Sequence, residues 1–294
     1  MFFPVIYYLF VYPISRLPFP ALYFFSDVFY VLVYYIIPYR KKVVIQNLTR
    51  SFPEKSPEEI KSIAKKFYRH FCDITLESFK MFSITKEELA ERCVPSDKSI
   101  LDRYYQEGKD CICAGGHYNN WEFLAVAGKL FVQQESSCIY KPLANAWFDK
   151  VIRKSRSQLG LQMWPVKKTK EMFEAQRKVA AAYFFAMDQS PTKAKRSHWM
   201  TFLNQDTGVA FGTEKYAREY NLPVVYFRIT KLKRGYYSAA FELVTDEPNK
   251  LAHGEIVERL MKMLEADIIH QPEYWLWTHR RWKRKKPSDI ALDL

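Results

Sequence analysis

His117 and Glu122 stand five residues apart in the segment Ala114-Gly115-Gly116-His117-Tyr118-Asn119-Asn120-Trp121-Glu122. A short apolar run feeds into two glycines, which let the backbone turn sharply or approach a ligand closely. The pattern predicts a buried strand leading into a helix, with His117 in the loop and Glu122 in the first helical turns. Such a spacing can fold the carboxylate back onto the imidazole. A carboxylate on one ring nitrogen fixes the tautomer and leaves the other nitrogen as a base, which is what deprotonating a hydroxyl nucleophile requires. The competing explanation is a histidine capping a helix beside an unrelated surface glutamate, and for an isolated pair that is the commoner arrangement. Cys113, four residues before His117, is a second candidate nucleophile, but a cysteine inside a buried strand behaves as a small hydrophobe. The chain has five cysteines without CxxC spacing, so neither a disulfide framework nor a zinc knuckle is expected. No His/Cys/Asp cluster at ligand spacing calls for a metal.

The elements that must position these residues follow from the periodicity. Ser56-Pro57-Glu58-Glu59 and Thr85…Glu88 read as capping boxes that open helices. From residue 98 onward, helices at 98–108, 120–131, 145–158, 169–178, 211–220 and 253–270 alternate with apolar runs near 111–114, 137–140, 161–166, 179–187, 223–230 and 236–244. Alternation of this kind predicts an α/β fold with a mainly parallel mixed sheet flanked by helices. Ligands in such sheets gather beyond the carboxyl ends of the strands. Two of those ends carry chemistry: His117 after one, and Asp188-Gln189 after the other.

The chain of 294 residues carries a formal charge of +13, and aromatic residues make up 17% of it. Apolar content of 48% with only nine glycines excludes disordered and low-complexity classes. Fifteen of the aromatics fall within residues 1–39, where Arg16 and Asp27 are the only charges; six basic residues and no acid fall within 279–286. The head reads as two apolar, membrane-associated helices, roughly 1–16 and 19–38, broken at Ser15-Arg16-Leu17-Pro18-Phe19-Pro20, with 40–294 as the α/β domain. Its uncharged runs fall short of the ~20 residues of a clean span, and no basic n-region or small-residue cleavage site marks a secretory signal. These helices can lie in the interface, form a shallow hairpin or make one imperfect span. Arg40, Lys41 and Lys42 follow at once, which places the domain on the cytoplasmic side. For the basic tail, a solvated end and a nucleic-acid patch are alternatives, but no nucleic-acid-binding fold is recognisable. Trp275, Trp277 and Trp282 favour an anchor in the headgroup layer.

Several blocks, in order along nearly the whole chain, resemble the bacterial lipid A biosynthesis acyltransferase family, the HxxxxE branch of the glycerolipid acyltransferase superfamily. His117-Tyr118-Asn119-Asn120-Trp121-Glu122 is similar to its HxxxxE motif. Tyr140-Lys141-Pro142 with Asn145, Asp149 and Arg156 resembles a YRP…N…D…R block, with Lys141 in place of the usual arginine. Met187-Asp188-Gln189 resembles a DQ block, the 39–53 segment an N-terminal signature, and Trp275 with His279-Arg280-Arg281 a C-terminal element. The segment after Asp188 is more basic than the family's glycine-rich version.

The resemblance implies direct transfer of a fatty acyl group from an acyl-carrier-protein or coenzyme A thioester to a hydroxyl of a lipid A precursor or related glycolipid. No other cofactor is implied, and the site would sit on the cytoplasmic face of the inner membrane. His117 is then the general base and Glu122 its orienting carboxylate. Arg156 and Lys141 are candidates for binding phosphate. Asp188 is a candidate for holding Arg156 or an acceptor hydroxyl, and Asn119 and Asn120 are candidate oxyanion donors through side chain or backbone. Arg156 and Asp188 also admit a plain structural ion pair. Other membrane lipids, such as a lysophospholipid or aminolipid, are alternative acceptors, and a non-catalytic lipid-binding protein of the membrane surface is the alternative of another class.

Overall fold

A computed structural model describes residues 2–287. The chain core is a seven-stranded sheet in the order β1-β9-β8-β2-β5-β3-β4. Its strands are β1 (Cys93–Asp97), β2 (Cys111–Gly115), β3 (Glu135–Tyr140), β4 (Gln162–Pro165), β5 (Ala181–Ala186), β8 (Val224–Lys233) and β9 (Tyr236–Thr245). All neighbouring pairs are parallel except the β8–β9 hairpin, so the sheet is mixed and mostly parallel, as the alternation predicts. Strand β2 is buried along its whole length, which fits its run of Cys, Ile and Ala.

The flanking helices start where polar caps allow. Helix α5 (Pro57–Lys80) opens on Ser56, whose side chain accepts from the Glu59 amide while Glu59 reaches back. The short helix α6 (Lys86–Arg92) opens on the Thr85–Glu88 box in the same way. Helices α8 (Trp121–Phe131) and α9 (Ala146–Arg156) are capped by Asn120 and Asn145, each accepting from the amide three residues on. Helix α12 (Glu255–His270) covers the sheet with Ile256, Leu260 and Leu264 fully buried.

Three strands lie outside the expected runs: the edge strand β1, which pairs with β9, and two more. Segments β6 (Ser197–Phe202) and β7 (Gln205–Ala210) form a separate antiparallel ribbon. Its two-residue turn is Leu203-Asn204, with φ of 49° and 60°. A turn with both central residues left-handed suits a tight hairpin, but leucine in the first place hides the signal.

The apolar head consists of α1 (Phe2–Ile6) and α2 (Tyr12–Arg16), joined by a π-helical turn, and α3 (Phe19–Val31), which runs on through a second π-helical turn to Ile36. The chain breaks between Arg16 and Phe19, as Pro18 and Pro20 dictate. Residues 19–36 make one helix long and apolar enough to cross a membrane. One side of it is nevertheless bound to the domain by polar contacts. Ser26 donates to Asp73 at 2.7 Å, Tyr23 to Glu77 at 2.8 Å, and Asp27 pairs with Arg234 at 2.7 Å. Glu77 also accepts from Tyr237 at 2.8 Å and from Asn120 at 2.6 Å, so the head, α5, β9 and the cap of α8 meet at one carboxyl. Burial above all, with Asp73 nearby, pushes the Glu77 pKa up. The opposite side of α3 exposes Phe24, Phe25, Val28, Val31 and Leu32.

Candidate active site

The sheet register brings two strand ends together. Gly115 of β2 pairs with Ala186 of β5, and the Met187 amide donates to the Gly115 carbonyl at 3.0 Å. Two residues beyond each partner lie His117 and Asp188, and their side chains meet: His117 Nδ1 is 2.6 Å from Asp188 Oδ1. A carboxylate only accepts, so Nδ1 carries the hydrogen and Nε2 is left as the basic atom. The other oxygen of Asp188 accepts from the His117 amide and from Trp275 Nε1, both at 2.8 Å. Both oxygens of this buried carboxylate are therefore engaged, one by the imidazole and the other by the two donors that fix the carboxylate in place. Gly116 is required here by space alone, because a Cβ would lie 2.7 Å from Leu264 and 3.3 Å from Asp188.

Electrostatics follow the geometry. Burial works against charge on His117, but the charge and hydrogen bond of Asp188 outweigh it and raise the imidazole pKa above its ordinary 6.5. Burial likewise opposes ionisation of Asp188, yet His117, Trp275 and the backbone amide bring its pKa down to about 2. Gln189 places its amide nitrogen 3.1 Å from Nε2, and Trp121 sets its ring edge-on to the imidazole at 5.0 Å.

The placement of Glu122 differs from the expectation. Its carboxylate is engaged by the Arg156 fork: Nε donates to Oε2 at 2.8 Å and Nη2 to Oε1. The two expected pairings are thus exchanged, since Asp188 holds the histidine and Glu122 holds the arginine. The Glu122 carboxylate is taken by Arg156, while the strand register delivers Asp188 straight to Nδ1. The asparagines differ too. Asn119, at φ 53°, donates its side chain to the Ile229 carbonyl at 2.7 Å, and its amide donates to Tyr274 at 2.9 Å. Asn120 caps α8 and donates to Glu77. Both side chains are buried and turned into the domain, and neither residue lines the cavity described below. Lys141 is exposed at that cavity's wall.

The tail also departs from its expected role. Trp275 and Trp277 are fully buried in the main core, Trp282 donates to Thr207 at 2.7 Å, and buried Arg281 donates to Gly208 at 2.8 Å. These residues clamp the ribbon and Asp188, and the burial of Trp275 and Trp277 takes those two rings out of reach of a headgroup layer. Trp275 and Gln189 were the site residues hardest to foresee, although each lies inside a block that the sequence already singled out.

His117, Glu122 and Arg156 line a cavity of about 540 Å³, a size usual for ligand pockets. Most of the wall is apolar, with Leu124, Ala125, Ile152, Leu161, Met163 and Phe184. Cys113 is not part of it. That thiol is wholly buried, its pKa is pushed well above the ordinary value by burial, and its nearest polar neighbour is Cys111 sulfur at 4.0 Å. Only the thiolate is a nucleophile, so Cys113→Ala is expected to keep most activity in a direct transfer assay.

A carboxylate-paired histidine beside a mostly apolar cavity, at the strand ends of a mostly parallel α/β sheet, suits an enzyme that acts on lipids. The family model of bacterial lipid A biosynthesis acyltransferases matches residues 2–284, and the chain belongs to that family and is an O-acyltransferase. It is 21% identical over 280 residues to the lipid A biosynthesis palmitoleoyltransferase of Escherichia coli (strain K12), covering 94% of this chain and 90% of the relative. A lipid A biosynthesis acyltransferase of Shigella flexneri matches to the same extent.

Proposed function

We propose that this chain transfers a fatty acyl group from a carrier thioester to a hydroxyl of a lipid A precursor or a related glycolipid, with His117 as base. The observation that carries the reading is the Asp188-paired His117 in the wall of a mostly apolar cavity. The acceptor O–H gives its proton to Nε2 as its oxygen attacks the thioester carbonyl; the C–S bond breaks, and the imidazolium returns the proton to the departing thiolate. Asp188 stabilises the imidazolium and keeps the tautomer. Arg156, fixed by Glu122, retains donors for a phosphate or for the developing oxyanion. The acyl chain fills the apolar part of the cavity. Acyl carrier protein and coenzyme A both present the thioester on a phosphate-bearing arm, for which exposed Lys141, Lys150 and Lys154 supply charge. The apolar head and Arg40–Lys42 favour the cytoplasmic face of the inner membrane.

Purified protein with an acyl-carrier-protein thioester and mixed lipid acceptors, read by mass spectrometry, tests this. An acylated lipid A precursor, absent with His117→Ala, supports it; acylation of a lysophospholipid or aminolipid alone overturns the acceptor. Gly128 lines the cavity, and a Cβ added there meets nothing within 4 Å. Gly128→Leu is therefore expected to fold and to shorten the preferred chain. Each methylene shut out would cost about 0.8 kcal/mol, roughly fourfold in selectivity. Competition between donors of different chain length reads the shift.

A further inference from the structure

A second cavity of about 720 Å³ lies outside the catalytic pocket, between α3, α5 and the β8–β9 hairpin. Arg69, Lys231, Lys233 and Arg234 line it against Asp27 and Asp73, an excess of two positive charges. The carboxylates are already taken: Asp73 receives the Arg234 fork at 2.7–3.0 Å and Asp27 pairs with the same guanidinium. Lys231 lies 3.8 Å from Asp73 and 3.3 Å from His70 Nδ1. Burial above all, with Lys231 nearby, lowers the His70 pKa, so that ring stays neutral and the pocket's positive charge comes from its Lys and Arg side chains alone. Arg69 and Lys233 have no acidic partner among the described residues; each instead rests over a tyrosine ring, Tyr30 at 5.2 Å and Tyr236 at 4.1 Å.

The wall beside these cations is greasy. Val31 is 47% exposed, and Leu232, next to Lys233 on the hairpin, is 59% exposed. From Val31 the exposed face of α3 continues through Val28, Leu32 and Tyr35, at helical spacing. Unpaired cations at the foot of an exposed apolar helix face match an amphiphile, with its phosphate in the pocket and its chain along α3. Basic pockets beside membrane helices hold lipid headgroups in this manner.

We propose that this pocket binds the phosphate of an anionic membrane lipid and so fixes how the protein sits on the bilayer. The proposal does not depend on the acyl-transfer chemistry, and its readout is lipid binding. The test uses the full chain in mild detergent. Binding to phosphatidylcholine vesicles with and without phosphatidylglycerol is compared for wild type, Arg69→Gln/Lys233→Gln, and a control pair, Lys61→Gln/Lys65→Gln, both exposed and outside the pocket. The expected result is a loss of about fivefold per pocket charge removed, seen only with the anionic lipid. The control pair should lose less, and Arg69→Lys/Lys233→Arg should restore binding. Equal loss in both pairs, or none in the pocket pair, overturns the proposal. Phosphorus NMR then separates the sources of phosphate. Broadening of soluble short-chain phosphatidylglycerol well before inorganic phosphate supports a lipid site; equal broadening makes it a free-anion site and sinks the lipid reading.

Discussion

Asp188→Asn is expected to lower turnover by about four orders of magnitude, the scale seen when a histidine base loses the carboxylate that sets its tautomer. An asparagine can offer an N–H to Nδ1, which forces the hydrogen onto Nε2 and removes the basic atom. The pH profile should change as well. With Asp188 present, the His117 pKa is raised above 6.5, so activity falls as pH drops through that raised value. In Asp188→Asn the residual activity should keep falling only at lower pH, because the charge that raised the imidazole is gone. Stability follows the same pair with opposite limbs. The raised His117 contributes below 6.5 and loses its contribution as pH climbs through the folded value, while Asp188 contributes above 3.8 and loses it toward about 2. The pair therefore supports the fold most fully between 3.8 and 6.5. A pH–rate profile left unmoved by Asp188→Asn would remove that carboxylate from the imidazole's partnership.

The Glu122–Arg156 pair gives the second large effect, and its signature is one of sign. Glu122 raises the His117 pKa and Arg156 lowers it, so the two members of the pair act on the imidazole in opposite senses. Glu122→Gln should shift the acidic limb to lower pH, and Arg156→Gln should shift it to higher pH. The double variant should lie between the two single variants. Each single variant also leaves a partly buried charge without its partner, with a stability loss of about 1.5–3 kcal/mol. The double variant should cost less than the sum of the two. Thermal melting and the pH–rate profile of all four proteins check this. Parallel shifts in the two single variants would show that the pair acts through backbone displacement and not through charge.

Much of this was legible in the residues. The glycines before His117, the capping boxes, the proline break in the head and the alternation after residue 98 each fix a local choice, and each is met in the fold. What periodicity cannot give is which strands are neighbours. Asp188 was placed at the right strand end, but its contact with His117 depends on β2 and β5 lying side by side with Gly115 opposite Ala186. Spacing along the chain favoured Glu122 instead, because five residues is near in sequence and 71 is not. The tryptophans of the tail show a related limit. A run of Trp and Arg reads equally as an interfacial belt or as a clamp, and only the site of Asp188 decides for the clamp. The ribbon at 197–210 stayed hidden because its turn lacks glycine.

The single carboxyl of Glu77, shared by Tyr23, Tyr237 and Asn120, bears on how such a protein can be handled. Apolar N-termini are ordinarily trimmed to obtain soluble material. Here a trimmed chain would lose Tyr23 and leave one oxygen of a fully buried carboxyl without its donor. The other oxygen receives the asparagine that starts the helix bearing Trp121 and Glu122. The head is thus part of the foundation under the loop that bears His117, and removing it would unsettle that loop along with the head's own apolar surface.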